Sequence, residues 1–471
     1  MRLILYDIVF LITLCYLNAF SQPARPLNVV LILVDDLGWS DLTCYGSDLH
    51  ETPHIDRLST QGIFFTDAYA ASPVCSPSRA ALMSGEHPAR LHMTTWREAA
   101  KHPPLDKKLI PPLTEENLPL DKVTLAEQLK EAGYLTVHIG KWHLGDAPHY
   151  PQTQGFDIDI GATLWGCPKT FFYPFKGFMH GDFRYVPGLG TGKEGDYLPD
   201  RLTTEAVRII EGNSGQPFFL YMAYYTVHTP LEAKAADIAY FEKKIKAGMK
   251  HVNATYAAMV KSMDENVGRI LASLEKKEIS DQTIVIFTSD NGGFNIAWRQ
   301  FPVVTNNAPL RSGKGSLYEG GIRVPLIIRW PGVTHAGDIC HEPVVLTDLY
   351  STLAYAQGFP PAATDNQQDG RNLYPLLSKE DLSLDREALF WHFPHYYPTT
   401  TPVSAMRRGK WKLLEYLEDN RLELYNLEAD QGEKHNLALQ NPQQAADLQR
   451  QLADWREQVE AQMPESSQPL H

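Results

Sequence analysis

The sequence predicts an α/β fold: a large, mostly parallel sheet flanked by helices, followed by a smaller C-terminal α+β subdomain carrying an antiparallel sheet. Three observations carry this expectation. Continuous apolar runs recur from Asn28 onward, and stretches of helical period separate them. Near Glu380 the texture changes to short strands and turns.

The elements follow in order. Val29-Val30-Leu31-Ile32-Leu33-Val34 is an unbroken apolar run, as expected of a strand buried on both faces. TLAEQLKEAGY sets Leu125 and Leu129 on one helical face, with Gly133 as the stop. YLTVHIG alternates as a strand. PFFLYMAYY, TIVIFTSD and VPLIIRW predict three more strands, and YAAMVKSMDENVGRILASLEKK predicts a helix between the first two. SAMRRGKWKLLEYLEDNRLELYNLEAD predicts short antiparallel strands. NPQQAADLQRQLADWREQVEAQM predicts a closing helix, with Asn441 as N-cap, Pro442 at its first position, and Leu448, Leu452, Trp455 and Val459 on one face. The expected division is a signal peptide at residues 1–21, a main unit at 22–380 and a C-terminal subdomain at 381–471. No internal repeat is visible.

At 471 residues the chain suffices for one large or two moderate domains. Its 43 Lys+Arg against 56 Asp+Glu give a formal charge of −13, which argues against nucleic acid or anionic membranes as partners. An anionic substrate would therefore need a local cationic pocket. The N-terminus carries Arg2, an apolar core from Ile8 to Phe20 and an Ala19-Phe20-Ser21 cleavage pattern before Gln22. That run is shorter than the roughly 20 residues of a membrane span. The expectation is export, to the periplasm or beyond the cell, with no stable span. Cys15 leaves with the signal, and Cys44, Cys75, Cys167 and Cys340 are too scattered for a disulfide framework.

Ligands of open α/β sheets bind beyond the carboxyl ends of the strands. There the sequence delivers Asp35-Asp36, then Lys141-Trp142-His143, then His228, then Asp290-Asn291. RSGKGSLYEGGIRVP brings Lys314. Three carboxylates and an amide are hard oxygen donors, suited to calcium or magnesium and poorly to zinc. Two lysines and two histidines beside a divalent cation would receive a tetrahedral oxyanion and offer protons to a leaving group. Phosphate or sulfate esters are the substrate class that this set suggests.

These motifs resemble the type I sulfatase family of the alkaline phosphatase superfamily. CSPSRAALMSG from Cys75 is similar to its Cys-x-Pro-x-Arg signature, and GKWHLG from Gly140 to Gly145 to its second signature. LVDDLGWSDLTCYG, SDNGG and GKGSLYEGGIRVPLIIRWPG fall in family order, over about Asn28 to about Ala438. The resemblance implies that a maturation enzyme oxidises Cys75 to formylglycine, whose gem-diol is the nucleophile. It also implies that Asp35, Asp36, Asp290, Asn291 and the modified Cys75 hold Ca2+, and that Lys141 and Lys314 neutralise sulfate oxygens. His228 would protonate the leaving oxygen, His143 would accept the proton that releases sulfate, and Arg79 would support residue 75 and the metal side. A buried structural cysteine, or a thiolate paired with His143 or His228, is the alternative reading of Cys75.

The substrate is less legible. HPARLHMTTWREAAKH, with His92, Trp96 and Arg97, and LFWHFPHYYP, with His392 and His395, are rich in sugar-contacting residue types. Trp165, Trp298 and Arg299 are further candidates. Export and these stretches favour a sulfated carbohydrate as substrate, and WHFPHY is similar to members acting on galactose or N-acetylgalactosamine units. Two other functions share the residues: a phosphonate or phosphodiester hydrolase, and a non-catalytic binder of sulfated glycans.

Overall fold

The computed structural model describes residues 26–296, 303–358 and 368–467. The expected signal peptide, Trp298 and Arg299 lie outside the described residues. Nine strands form the main sheet: β1 (Asn28–Val34), β2 (Ile63–Tyr69), β3 (Leu135–Gly140), β4 (Ile158–Ile160), β5 (Phe218–Ala223), β6 (Thr283–Ser289), β7 (Arg323–Arg329), β8 (Asp338–Cys340) and β9 (Val344–Val345). Their order is β8-β2-β7-β6-β1-β5-β3-β4, with β9 also on β2. Only β7 runs antiparallel to its neighbours, β2 and β6; the other pairings are parallel.

The unbroken apolar run of β1 is explained by its central place, because both faces need cover. Val30, Ile32 and Val34 face a core built with the helices Leu198–Gly212 and Ala254–Lys276. Val29, Leu31 and Leu33 face the opposite core, built with the helices Cys75–Ser84, Leu125–Glu131 and Thr347–Ala356. The helix Leu125–Glu131 starts on a capping box of Thr124 and Glu127, and Gly133 follows its end with φ +86°.

The C-terminal sheet is a meander of β10 (Leu389–Phe393), β11 (Val403–Arg408), β12 (Trp411–Tyr416) and β13 (Arg421–Asn426). One face packs Trp391, Val403 and Leu414 against Tyr69, Leu317 and Ile322 of the main unit. The other packs Met406, Leu413 and Leu424 against Leu448, Leu452 and Trp455 of the helix Pro442–Gln458. Asn441 is the N-cap by position, yet its side chain makes no capping bond and its amide donates to Leu437 O instead. LFWHF, read from the sequence as a substrate-contacting stretch, is strand β10. Its aromatic residues favour a pleated, half-buried surface, and Trp391, His392 and Phe393 are buried in it.

Candidate active site

Four parallel strands aim their carboxyl ends at one point. β1 ends at Asp35-Asp36, β3 at Lys141 and His143, β5 runs through Tyr224 and Tyr225 to His228, and β6 ends at Asp290-Asn291. β7 runs the opposite way, so the residues before it reach the same edge. This brings Lys314 into the group. Cys75 opens the helix Cys75–Ser84 and is buried.

Six buried charges interlock beneath Cys75. Lys141 Nζ lies 2.7 and 2.9 Å from the two Asp35 oxygens, and Lys314 Nζ 2.6 and 2.8 Å from those of Asp36. Arg79 donates through Nε to Asp290 at 2.8 Å and through Nη1 to Lys141 O at 3.0 Å. Buried charges persist only when paired in this way. Burial alone would raise the Asp36 pKa, but Lys314 and His228 hold it well below the usual carboxylate range.

One oxygen from each of Asp35, Asp36 and Asp290 lies within 4.8 Å of the other two. Asn291 donates its amide to Asp36 Oδ1 at 2.9 Å, while its Oδ1 is buried with no hydrogen-bond partner among the described residues. An oxygen-only set with one unsatisfied carbonyl fits calcium. The three carboxylates balance Arg79, Lys141 and Lys314, so a divalent cation would leave the site net positive, as an anionic ester requires.

Cys75 Sγ lies 3.4 Å from His143 Nδ1, and His143 Nε2 lies 2.8 Å from Glu98 Oε2. Glu98 thereby accepts the hydrogen bond from Nε2–H and turns Nδ1 toward residue 75. Burial would lower the His143 pKa, but the carboxylate of Glu98 and the sulfur of Cys75 outweigh it and raise it. For Cys75, burial opposes ionisation, yet Lys141, His143 and Lys314 bring the thiol down to about 6. Asp36 and His143 both take left-handed backbone, φ 61° and 57°, which is uncommon outside glycine and costs about 1–3 kcal/mol at such positions. Gly166 leaves room for the His143 ring, since a Cβ there would come within 2.6 Å of it.

His228 Nδ1 sits 2.6 Å from Thr229 O, which leaves Nε2 toward the site, 3.5 Å from Asp36 Oδ2. Burial lowers its pKa to about 3; Lys314 and Lys141 add to this, while Asp36 opposes it. A bound anionic ester would counter the lysines and favour the protonated ring.

A cavity of about 310 Å³ opens above Cys75, between His143, His228, Lys314, Trp96 and Tyr397. Of the outer candidates among the described residues, only Trp96 reaches it. Arg97, its neighbour, turns away to Asp146 at 3.1 Å and Glu116 at 3.4 Å. His92 bonds Glu460 O, His392 lies between Ser404 Oγ and Gln462 O, and His395 bonds Thr94 Oγ1. These four serve packing between chain segments, and the structure does not bring them to the cavity. Trp165 packs edge-on against Tyr185. The sequence reading missed Glu98, Tyr397 and Arg184, all of which line the cavity. Glu98 stands next to the segment's chosen Arg97, and Tyr397 two residues past the chosen His395; only the turn of the backbone tells them apart.

The site is that of an ester hydrolase with a buried, metal-suited oxyanion centre on an alkaline phosphatase-like fold. The sulfatase family model matches residues 27–358, and the model for the N-sulphoglucosamine sulphohydrolase C-terminal region matches residues 313–462. The chain belongs to the sulfatase family and is a sulfuric ester hydrolase. It is 34% identical to a sulfatase of Formosa agariphila, over 89% of this chain and 86% of that protein. It is 31% identical to N-acetylgalactosamine-6-sulfatase of Homo sapiens, over 83% and 75%. Among solved structures, Ps i-CgsB in complex with k-i-k-neocarrahexaose superposes with a TM-score of 0.77 at 33% identity, covering 92% of this chain and 93% of that one. Membership implies, in general, a formylglycine and a metal ion.

Proposed function

We propose that the protein is an exported carbohydrate sulfatase that works through a formylglycine at position 75 and a calcium ion held by Asp35, Asp36, Asp290 and Asn291. The single observation that carries this is the convergence of three carboxylates, three buried cations and two histidines on one buried cysteine at a helix start. Formylglycine supplies a hydrated aldehyde as nucleophile, and calcium supplies the charge that favours its ionisation.

The chain's own groups do the rest. Lys141 and Lys314 bond the sulfate oxygens, and their carboxylate partners hold them in place. His228 delivers a proton from Nε2 to the departing sugar oxygen, its ring fixed by the Thr229 carbonyl. His143, oriented by Glu98, accepts at Nδ1 the proton whose loss releases sulfate. Arg79 ties Asp290 to the Lys141 backbone and so keeps the metal side and the lysine in register.

Carbohydrate as substrate is supported by Trp96 and Tyr397 at the mouth of the cavity and by relatives that act on an amino sugar or hold a carrahexaose. Galactose or N-acetylgalactosamine sulfate is the proposed unit. Export follows from the N-terminal signal pattern at residues 1–21, and a sulfatase-maturation enzyme is the transient partner that converts Cys75. Among the described residues no helix is long and apolar enough to cross a membrane. The catalytic unit is proposed to span 22–380 and the C-terminal subdomain 381–471.

The test is turnover by purified enzyme of a panel of defined sulfated mono- and disaccharides beside the phosphodiester analogue of each. Preference for a sulfated sugar is the expected result. Clear preference for the phosphodiester would assign the site to the other branch of the superfamily. Binding without any turnover, undiminished in Cys75→Ala, would make the protein a glycan binder.

A further inference from the structure

The catalytic cavity is bounded on one side by Tyr397, and a second cavity begins on the far side of the same residue. Tyr397 is a fixed wall. Its ring meets Trp96 edge-on at 5.4 Å and lies over Gly315 so closely that a Cβ there would come within 1.9 Å of it. Thr399, two residues on, donates to the carbonyl of Lys314 at 2.8 Å and ties this loop to the catalytic lysine.

The second cavity, about 750 Å³, is within the usual range for small-molecule sites. Its walls carry Tyr318, Tyr396 and Tyr416. Three exposed cations, Lys107, Arg311 and Arg421, also line it, and among the described lining residues there is no carboxylate. In a chain of formal charge −13 the three cations face this cavity while the carboxylates beside them, Asp106, Glu418, Asp419 and Glu423, stand behind its lining. The guanidinium of Arg311 lies 3.8 Å over the Tyr318 ring and that of Arg421 4.0 Å over the Tyr416 ring. Stacking of this kind orders the planar fork before a ligand arrives.

These cations are only partly engaged. Arg311 Nη1 donates to Tyr425 Oη and Glu433 O, and its other nitrogens have no partner among the described residues. Arg421 pairs through Nη1 with Glu423, and its Nε lies 3.7 Å from Asp419. Lys107 lies 3.9 Å from Asp106.

Resting on the sulfatase reading above, we infer that this cavity takes the sugar unit next to the one being desulfated, and that Lys107, Arg311 and Arg421 recognise a second anionic group on that unit. The substrate class is then an oligo- or polysaccharide with more than one anionic substituent. A lone sulfated sugar or an apolar alcohol sulfate would leave the second cavity empty.

The experiment compares kcat/KM for a sulfated disaccharide with a second anionic group on the neighbouring unit, the same disaccharide without it, and a small aryl sulfate that occupies only the catalytic cavity. Separate disaccharides carry the second group as sulfate or as carboxylate, which identifies the source of the charge. The doubly anionic substrate should win by about tenfold or more, the scale of one charge-assisted hydrogen bond. Arg421→Ala and Lys107→Ala should each reduce its advantage over the aryl sulfate by about tenfold, with partial rescue in Arg421→Lys. Equal turnover of both disaccharides, or equal losses on all three substrates in the variants, would overturn the proposal. Calorimetric binding of the doubly anionic disaccharide to Cys75→Ala reads the cavity independently of turnover. Affinity lost on adding Arg421→Ala in that background supports the proposal, and affinity unaltered by it, or no binding at all, contradicts it. If no sulfate ester is turned over, the catalytic reading fails while this binding result still decides the second cavity.

Discussion

His228 shows how much of the proposed chemistry rests on single atoms. Its Nδ1 is committed to Thr229 O, so only Nε2 can serve the leaving oxygen. His228→Ala should lower kcat/KM on an alkyl sugar sulfate by about 10²–10⁴-fold, the usual worth of a positioned acid, and on an activated aryl sulfate by far less. Equal losses on the two substrates would exclude an acid role. Glu98→Gln keeps the shape of the His143 partner and removes its charge. We expect kcat to fall by about 10–100-fold with circular dichroism unchanged, and a wild-type rate would contradict a positioning role. At this scale the sequence was legible where chemistry follows a strand. Asp35, Lys141 and Asp290 each directly follow a stretch that reads as a strand, so the sheet edge could be read before the fold was seen. Glu98 stands in the four-residue helix Arg97–Ala100, Arg184 in the four-residue strand Asp182–Tyr185 and Tyr397 beyond β10, all in segments too short for a period to place them. His92, Arg97, His392 and His395 show the reverse: residue types suited to sugars, turned by local backbone toward Glu460, Asp146, Gln462 and Thr94.

Among the elements, β7 decides the most. The apolar run VPLIIRW was legible as a strand, but not its direction, because periodicity carries no sign. Running antiparallel, it converts a loop that would lie at the far end of the sheet into the carrier of Lys314. The C-terminal sheet is tied to the same segment by a buried triad. Lys412 on β12 lies 2.8 Å from Glu319 and 2.9 Å from Glu433, with no solvent exposure at any of the three side chains. Burial alone would push the Glu319 pKa up, and Lys412 and Arg323 bring it down to about 2. Lys412→Met leaves Glu433 without its cation and Glu319 with Arg323 alone, at 3.4 Å. Its expected cost is about 3–5 kcal/mol in urea denaturation, and a change below about 1 kcal/mol would show that the triad is not what joins the two sheets.

Across the whole molecule, the seam between main unit and C-terminal subdomain also carries buried histidines beside its apolar packing. His87 bonds Phe390 O of β10 and His395 bonds Thr94 Oγ1 across it, while His392 bonds Gln462 O within the C-terminal subdomain. Burial lowers the pKa of His87 and His392 to about 4 and of His395 to about 3. An unfolded histidine titrates near about 6.5, so the folded state rejects protons that the unfolded chain accepts. The contribution of these residues is present above about pH 6.5 and is lost as pH falls from there toward about 4. The urea midpoint of a His87→Gln/His395→Gln variant should therefore drop less between about pH 7.5 and about pH 5 than that of the wild type. An equal drop would place the acid response elsewhere. Cys75 lines the catalytic cavity, and the proposed function depends on what that side chain has become. Mass spectrometry of the Cys75 peptide from fully active protein tests this most directly. The account predicts an aldehyde at position 75 that reacts with a carbonyl reagent and resists thiol alkylation; an unmodified, alkylatable thiol in fully active enzyme would contradict it.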